Sequence, residues 1–193
     1  MRAEPSATAA HFGVRLFVAA DLPGAVVPLV AGVARPAARE VRWTTPAQWH
    51  VTLRFLGEVP PAQLAGPEGL LAALDTVRGR LAASGALPVS AALGPAAAWF
   101  PGRQVLQVPV AGLEALATAV LEVTRAFGAP ADHAFRGHLT LARTRGRARG
   151  PAALAGAALS AAWEVPEAVL YASVPQGREG PRYDPVHRVS LAP

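Results

Sequence analysis

Trp49-His50-Val51-Thr52-Leu53-Arg54-Phe55-Leu56-Gly57 is the stretch on which the reading of this chain turns. His50 to Leu56 alternates and is closed by Gly57, the pattern of a strand. Side chains at i and i+2 of a strand share a face, so His50 and Thr52 stand side by side while Val51 and Leu53 anchor the opposite face. The arrangement recurs in His138-Leu139-Thr140-Leu141. A single such segment is most simply a half-buried strand whose His and Thr satisfy each other or face water. Two in a chain with five histidines are improbable by chance.

Outward from these segments, each half of the chain offers strands and a long helix. Val14 to Ala20 reads as a strand, and Asp21-Leu22-Pro23 as a helix cap followed by an early helical Pro, opening a helix to about Val33. Val41 to Trp43 is a brief extended piece. Leu64, Leu70, Leu71, Leu74, Val77 and Leu81 recur at helical spacing between Pro61 and Ala83, with an interruption expected at Gly66-Pro67. Leu87 to Leu93, Ala97 to Phe100 and Gln104 to Val110 are extended, and Leu113 to Phe127 is the second main helix. After the strand His138 to Thr144 come a short Ala-rich helix, Ala152 to Ala158, and strands at Ala168 to Val174 and Arg188 to Leu191. The expected fold is α+β: two pseudo-symmetric lobes, each an antiparallel sheet backed by helices, with a central cleft. Residues 1–13 are expected to be a flexible N-terminal tail and 14–193 a single two-lobed domain.

Composition removes several chemistries. A length of 193 residues suits one compact unit and leaves no room for a second independent enzyme domain. All 18 basic residues are Arg, which excludes Walker-type phosphate loops, Schiff bases and lysine adducts. No cysteine is present, so disulfides, thiolate zinc sites, iron–sulfur clusters and cysteine nucleophiles are excluded. A net charge of +5 carried by guanidinium forks suits phosphate, although a coding bias toward Arg, Ala, Gly and Pro explains the composition equally well. The longest uncharged stretch, Leu81 to Gly102, is broken by Pro88, Pro95 and Pro101 and does not read as a membrane span. Met1 to Ala10 does not read as a secretory signal. The expectation is a cytoplasmic, monomeric protein without membrane association.

If the two strands lie side by side, the pocket between them holds two imidazoles and two hydroxyls. Near neutrality one His can serve as general base and the other as general acid. Thr52 and Thr140 can donate hydrogen bonds to the non-bridging oxygens of a phosphate. The set suits in-line attack of water on a phosphodiester without a metal or other cofactor. Metal binding is the rival use of paired histidines. No Asp or Glu lies within two residues of His138, and Glu58 is the nearest acid after His50, so the site is a poor metal cage.

These motifs resemble the two-histidine (2H) phosphoesterase superfamily, and their surroundings resemble the bacterial and archaeal RNA 2′,3′-cyclic phosphodiesterases, the 2′-5′ RNA ligase family. The likeness rests on Arg15-Leu16-Phe17-Val18-Ala19 with Asp21-Leu22-Pro23, on Arg42-Trp43, on Trp49 to Val59, and on Phe135 to Arg143. It implies hydrolysis of a terminal 2′,3′-cyclic phosphate to a 2′-phosphomonoester, with His50 the proton donor and His138 the proton acceptor. Reversal of the same chemistry would join RNA ends. RNA ends or cyclic nucleotides are the implied substrates, and a non-catalytic RNA-end binding module is the remaining alternative. One departure is Gly137, where the family usually has Pro; a more flexible entry loop and a less well fixed His138 are expected from it.

Supporting residues have weaker signals. Arg54 lies at i+4 from His50 and is expected to share its face as a second phosphate contact. Arg143 follows Thr140 by three, on the other face of an ideal strand, yet twist or a strand end can bring it to the phosphate; the resemblance favours that role. Arg145, Arg147 and Arg149 form either a basic rim for RNA or a solvated loop. Trp43, Trp49, Trp99, Phe100 and Tyr183 are candidates to stack on the terminal base, one or two of them at most. His11, His133 and His187 are read as surface or loop residues.

Overall fold

The computed structural model describes residues 14–131, 133–177 and 180–192, so the expected tail at 1–13, with His11, lies outside the described residues. Among the described residues, ten strands and four helices follow the chain in the order β1 (Val14–Asp21), α1 (Val27–Ala31), β2 (Val41–Trp43), β3 (His50–Val59), α2 (Leu70–Asp75), α3 (Val77–Ala83), β4 (Ser90–Leu93), β5 (Ala98–Trp99), β6 (Val105–Ala111), α4 (Glu114–Val123), β7 (His138–Thr144), β8 (Ala161–Glu164), β9 (Glu167–Val174) and β10 (Arg182–Ser190). Their spatial order is β10-β9-β1-β3-β7-β6-β4-β8, with β2 added to β7 and β5 to β6. Each of these strand pairs is antiparallel. The expected α+β class with antiparallel sheets is what the structure has.

One seam positions the site. β3 and β7 meet in register at Val51↔Leu139, and both residues are fully buried. On either side of the seam lie β1, β9 and β10 in one direction and β6, β4 and β8 in the other, the two halves expected from the repeated motif. The helices do not respect that division. α4 follows β6 in sequence but packs on β3, across the seam. One buried cluster joins Leu16, Val51 and Leu56 to Val108, Leu116 and Leu139, so the halves share their core.

Differences from the expected elements have local causes. Leu70, Leu74, Val77 and Leu81 form the buried stripe that their spacing predicts; the expected interruption at Gly66-Pro67 is present, with α2 starting only at Leu70, and a second break falls at Thr76. The Thr76 hydroxyl donates to the Ala73 carbonyl at 2.7 Å, a local bond that competes with the helical ladder. A 3-10 turn, Ala152–Leu154, stands in place of the expected short Ala-rich helix. β8 has no counterpart among the expected elements, and β10 is longer than the expected final strand. Among the described residues no helix is long and apolar enough to cross a membrane.

Candidate active site

The site grows from the seam. Continuing the Val51↔Leu139 register sets His50 opposite Thr140 and Thr52 opposite His138. Val51 and Leu139 point into the core, so all four polar side chains lie on the other face, each half-buried. The histidines occupy one diagonal of this square and the threonines the other. Diagonal neighbours across an antiparallel pair are roughly 7–8 Å apart, their β-carbons somewhat closer, a span in which two imidazoles can bracket a phosphate.

Each imidazole is anchored to backbone. The His138 Nδ1 is 2.8 Å from the Arg136 carbonyl. A carbonyl accepts, so Nδ1 carries the proton and Nε2 of the neutral ring is left as an acceptor. His50 bonds the backbone of Gln48. Burial and then the Arg143 cation push His50 below the usual histidine value to about 4, against a lift from that backbone bond, and His138 adds the least of the lowering causes. His138 is also lowered, chiefly by burial, with Arg143 adding to it. Both rings are held toward their neutral forms, and Arg143 acts on both.

Arg143 reaches this face because of a bulge. Along β6 the register steps from Gln107↔Thr140 to Leu106↔Ala142, leaving Leu141 as the extra residue. Leu141 and Ala142 are both buried, and Arg143 emerges on the side of His138 and Thr140. The Thr44 hydroxyl lies 2.8 Å from the Thr140 carbonyl and 2.9 Å from the Leu141 carbonyl, holding the bulge at its origin. Trp49 Nε1 in turn donates to Thr44 Oγ1 at 3.0 Å.

β3 carries a bulge at the matching position, and here an expectation is corrected. Between Ala19↔Thr52 and Val18↔Arg54 the extra residue is Leu53. Arg54 is thereby turned from the His50 face into the interior, where it is 6% exposed. Its guanidinium donates to the carbonyls of Leu121 at 3.2 Å, Phe127 at 3.1 Å and Ala129 at 3.3 Å, and to the Thr124 hydroxyl. It ties the C-terminal end of α4 to β3, where a cation also suits the helix dipole, and is not available to a phosphate.

Of the five candidate aromatics, two meet the histidine rings and three do not. The Phe100 ring meets His138 edge-on at 4.8 Å, and Tyr183 meets His50 edge-on at 5.0 Å. Trp43 pairs with Ala142 and Trp99 with Leu106, both on the opposite face of the sheet. Their indole N–H groups donate to the carbonyls of Pro36 at 3.3 Å and Pro151 at 2.9 Å. These two are corrected to packing residues. Trp49, 5% exposed, belongs to the core and also lines a cavity beside His50.

Gly137 is held rather than loose. Its carbonyl accepts from Val110 N at 2.9 Å, and a Cβ built on it would fall 2.1 Å from the Val110 carbonyl oxygen. The close backbone approach requires the absence of a side chain and delivers His138 with its ring anchored, contrary to the expected flexibility. Of the remaining histidines, His133 is exposed, and His187 pairs with Asp75 at 2.7 Å.

Several site residues carry little signal in the sequence. Phe17 and Tyr171 join the expected Tyr183 around His50, with ring centroids at 4.9, 6.4 and 5.0 Å. Gln107, 7% exposed, sits beside Thr140, and its Oε1 carries no hydrogen bond among the described residues. Arg42 pairs with Arg143 across β2 and β7. The strand alternation around Phe17 and Tyr171 is the one hint of a shared face. Among the described residues no three His, Cys, Asp or Glu side chains cluster as a metal site.

Residues 16–87 match the model of the LigT-like phosphoesterase family. The Thermus thermophilus protein TT0787 is 29% identical with a TM-score of 0.74, over 92% of this chain and 97% of that one. Escherichia coli LigT in its apo form is 25% identical with a TM-score of 0.62, over 93% and 98%. The complex of the same protein with 3′-AMP is 26% identical with a TM-score of 0.63, over 94% and 99%. No curated protein matches the chain significantly.

Proposed function

We propose, starting from a chain that is a LigT-like phosphoesterase of the 2H superfamily, that it hydrolyses RNA-terminal 2′,3′-cyclic phosphates to 2′-phosphomonoesters. The observation that carries this reading is the register that sets two histidines and two threonines as one square on the open face of the seam. Water attacks phosphorus and gives its proton to Nε2 of His138; the bond from phosphorus to O3′ breaks, and His50 protonates O3′. Thr52, Thr140 and Arg143 bind the non-bridging oxygens, on which charge grows in the transition state. Phe100 and Tyr183 flank the reacting group.

The assignment of His138 as acceptor draws on its Nδ1 contact with Arg136, which leaves Nε2 as the basic atom. His50 is the harder case, since an acid must enter the reaction protonated and this ring is held near 4. A phosphodiester anion bound beside it opposes both causes, offsetting the Arg143 charge and compensating the buried imidazolium. Substrate thus brings the acid into its working form. The 3′-AMP bound by the E. coli relative supports a nucleotide ligand for the same fold.

The test is purified protein with a 2′,3′-cyclic phosphate RNA end, in EDTA, with products assigned by phosphorus NMR. A 2′-phosphomonoester is expected. No product, or a 3′-phosphomonoester, overturns the proposal. With a 5′-hydroxyl RNA also present, a 2′-5′ linkage as the main product would assign ligation instead.

A further inference from the structure

Asp21, expected to cap α1, does not. The residue preceding that helix is Val26, without a side-chain cap. Asp21 instead lines, together with His50, a cavity of about 210 Å³. Leu22, Trp49, Tyr171 and Tyr183 supply much of its apolar wall. This volume is below the roughly 300–1,000 Å³ of pockets that enclose a whole drug-sized ligand. One planar ring system fits it, with the attached sugar and phosphate outside.

The chemistry of the lining is lopsided. The walls are aromatic and aliphatic, and the carboxylate is an acceptor held in a partly dehydrated place. Tyr171 donates its hydroxyl to Oδ2 at 2.7 Å, and no other hydrogen bond to the Asp21 side chain is seen among the described residues. Burial raises the Asp21 carboxyl above its ordinary value despite that bond and the Arg188 charge. An ionised carboxylate has about four lone-pair positions, so one donor leaves capacity on both oxygens. Asp21 is the cross-strand partner of His50, which ties the cavity to the reacting group.

We propose that this cavity is the nucleobase subsite of the reaction and that Asp21 makes it prefer guanine. The inference rests on the cyclic-phosphate reading above. Guanine alone among the four RNA bases presents two adjacent donors, N1–H and the N2 amino group, on its Watson–Crick edge. They match a carboxylate in bidentate fashion, an arrangement that adds geometric selectivity as well as strength. Adenine and cytosine offer an amino donor beside a ring-nitrogen acceptor, which a carboxylate repels. Uracil offers one N–H between two carbonyls. The Tyr171 and Tyr183 rings supply the flanking surface for the base whatever its identity.

The experiment compares kcat/KM for guanosine, inosine and adenosine 2′,3′-cyclic phosphates, and the binding of 2′-GMP and 2′-AMP by NMR shift perturbation. Inosine keeps N1–H and lacks the N2 amine. Guanosine is expected to exceed adenosine by about tenfold or more, with inosine between, as loss of one charge-assisted hydrogen bond dictates. In Asp21→Asn, which can still accept from Tyr171, the guanosine-to-adenosine ratio falls to within about twofold. Equal kcat/KM for guanosine and adenosine in the unaltered protein overturns the subsite and leaves the hydrolysis standing. Absence of turnover with all three overturns the hydrolysis. Equal binding of the two monophosphates then overturns the subsite as well, and preferential binding of 2′-GMP upholds it.

Discussion

In β3 the residue after the bulge is Arg54, facing inward onto the end of α4; in β7 the equivalent residue is Ala142, and the arginine comes one place later, at Arg143, facing outward beside the histidines. The two strands begin with the same His-x-Thr-Leu and carry the extra residue at the same Leu. Beyond it they diverge. The position that Arg143 occupies in β7 is Phe55 in β3, which is 65% exposed and 5.9 Å from Phe17 on the same face. One strand uses its guanidinium to tie a helix to the sheet, and the other sets the electrostatics of the site with it. A bulge changes which face a residue serves, so the residue type immediately after it decides whether charge is buried or presented.

The sharpest break of this comparison is at the histidines. Alanine at either His50 or His138 is expected to lower kcat by about a thousandfold, within the range of a lost general acid or base. The double variant should be scarcely worse, because the pair acts as a unit. Steady-state kinetics with a cyclic nucleotide decides the matter; substantial activity in either single variant removes the two-histidine mechanism.

Exchanging the arginines separates their duties. Arg54→Met should cost about 3 kcal/mol of stability, since it strips a donor from the buried Thr124 hydroxyl and from three part-buried carbonyls, and should leave kcat/KM of the folded protein near its original value. Arg143→Gln should do the reverse, lowering kcat/KM by about 10- to 100-fold with little change in stability. Urea denaturation paired with kinetics reads both, and a large activity loss in folded Arg54→Met would return Arg54 to the site.

The smallest expected effect is a titration. Carbon-13 NMR of the His50 ring should show its pKa near 4 in the unaltered protein and higher in Arg143→Gln, because a neighbouring positive charge is removed. Inorganic phosphate should raise it also. A folded-state pKa below the unfolded value makes His50 contribute stability that is present above about pH 6.5 and is lost as pH falls toward 4. An unchanged His50 titration in Arg143→Gln would mean that the cation of β7 does not reach the histidine of β3.

Local alternation makes the seam legible. Two His-x-Thr-Leu segments with apolar neighbours specify which face each imidazole takes, and a period of two needs no knowledge of the rest of the molecule. The same logic misassigns Arg54, because counting i+4 along a strand assumes unbroken alternation. A bulge is settled by the register against β1 and β6, partners distant in sequence. Trp43 and Trp99 are unreadable for a related reason: an indole suits a base or a core equally, and the pairing of β2 and β5 selects the core face. Gly137 reads as a loosened loop in the absence of the Val110 carbonyl that the fold brings beside it.

Residue order alone therefore determined the antiparallel α+β character, the pairing of two imidazoles with two hydroxyls, and the exclusion of lysine and cysteine chemistry. These depend on side-chain identity and short-range periodicity. Tertiary structure alone decided which arginine meets the histidines, which aromatics stand beside them, and that Asp21 lines a cavity instead of capping a helix. Those outcomes depend on strand register and bulges, which are set by contacts between segments far apart in the chain.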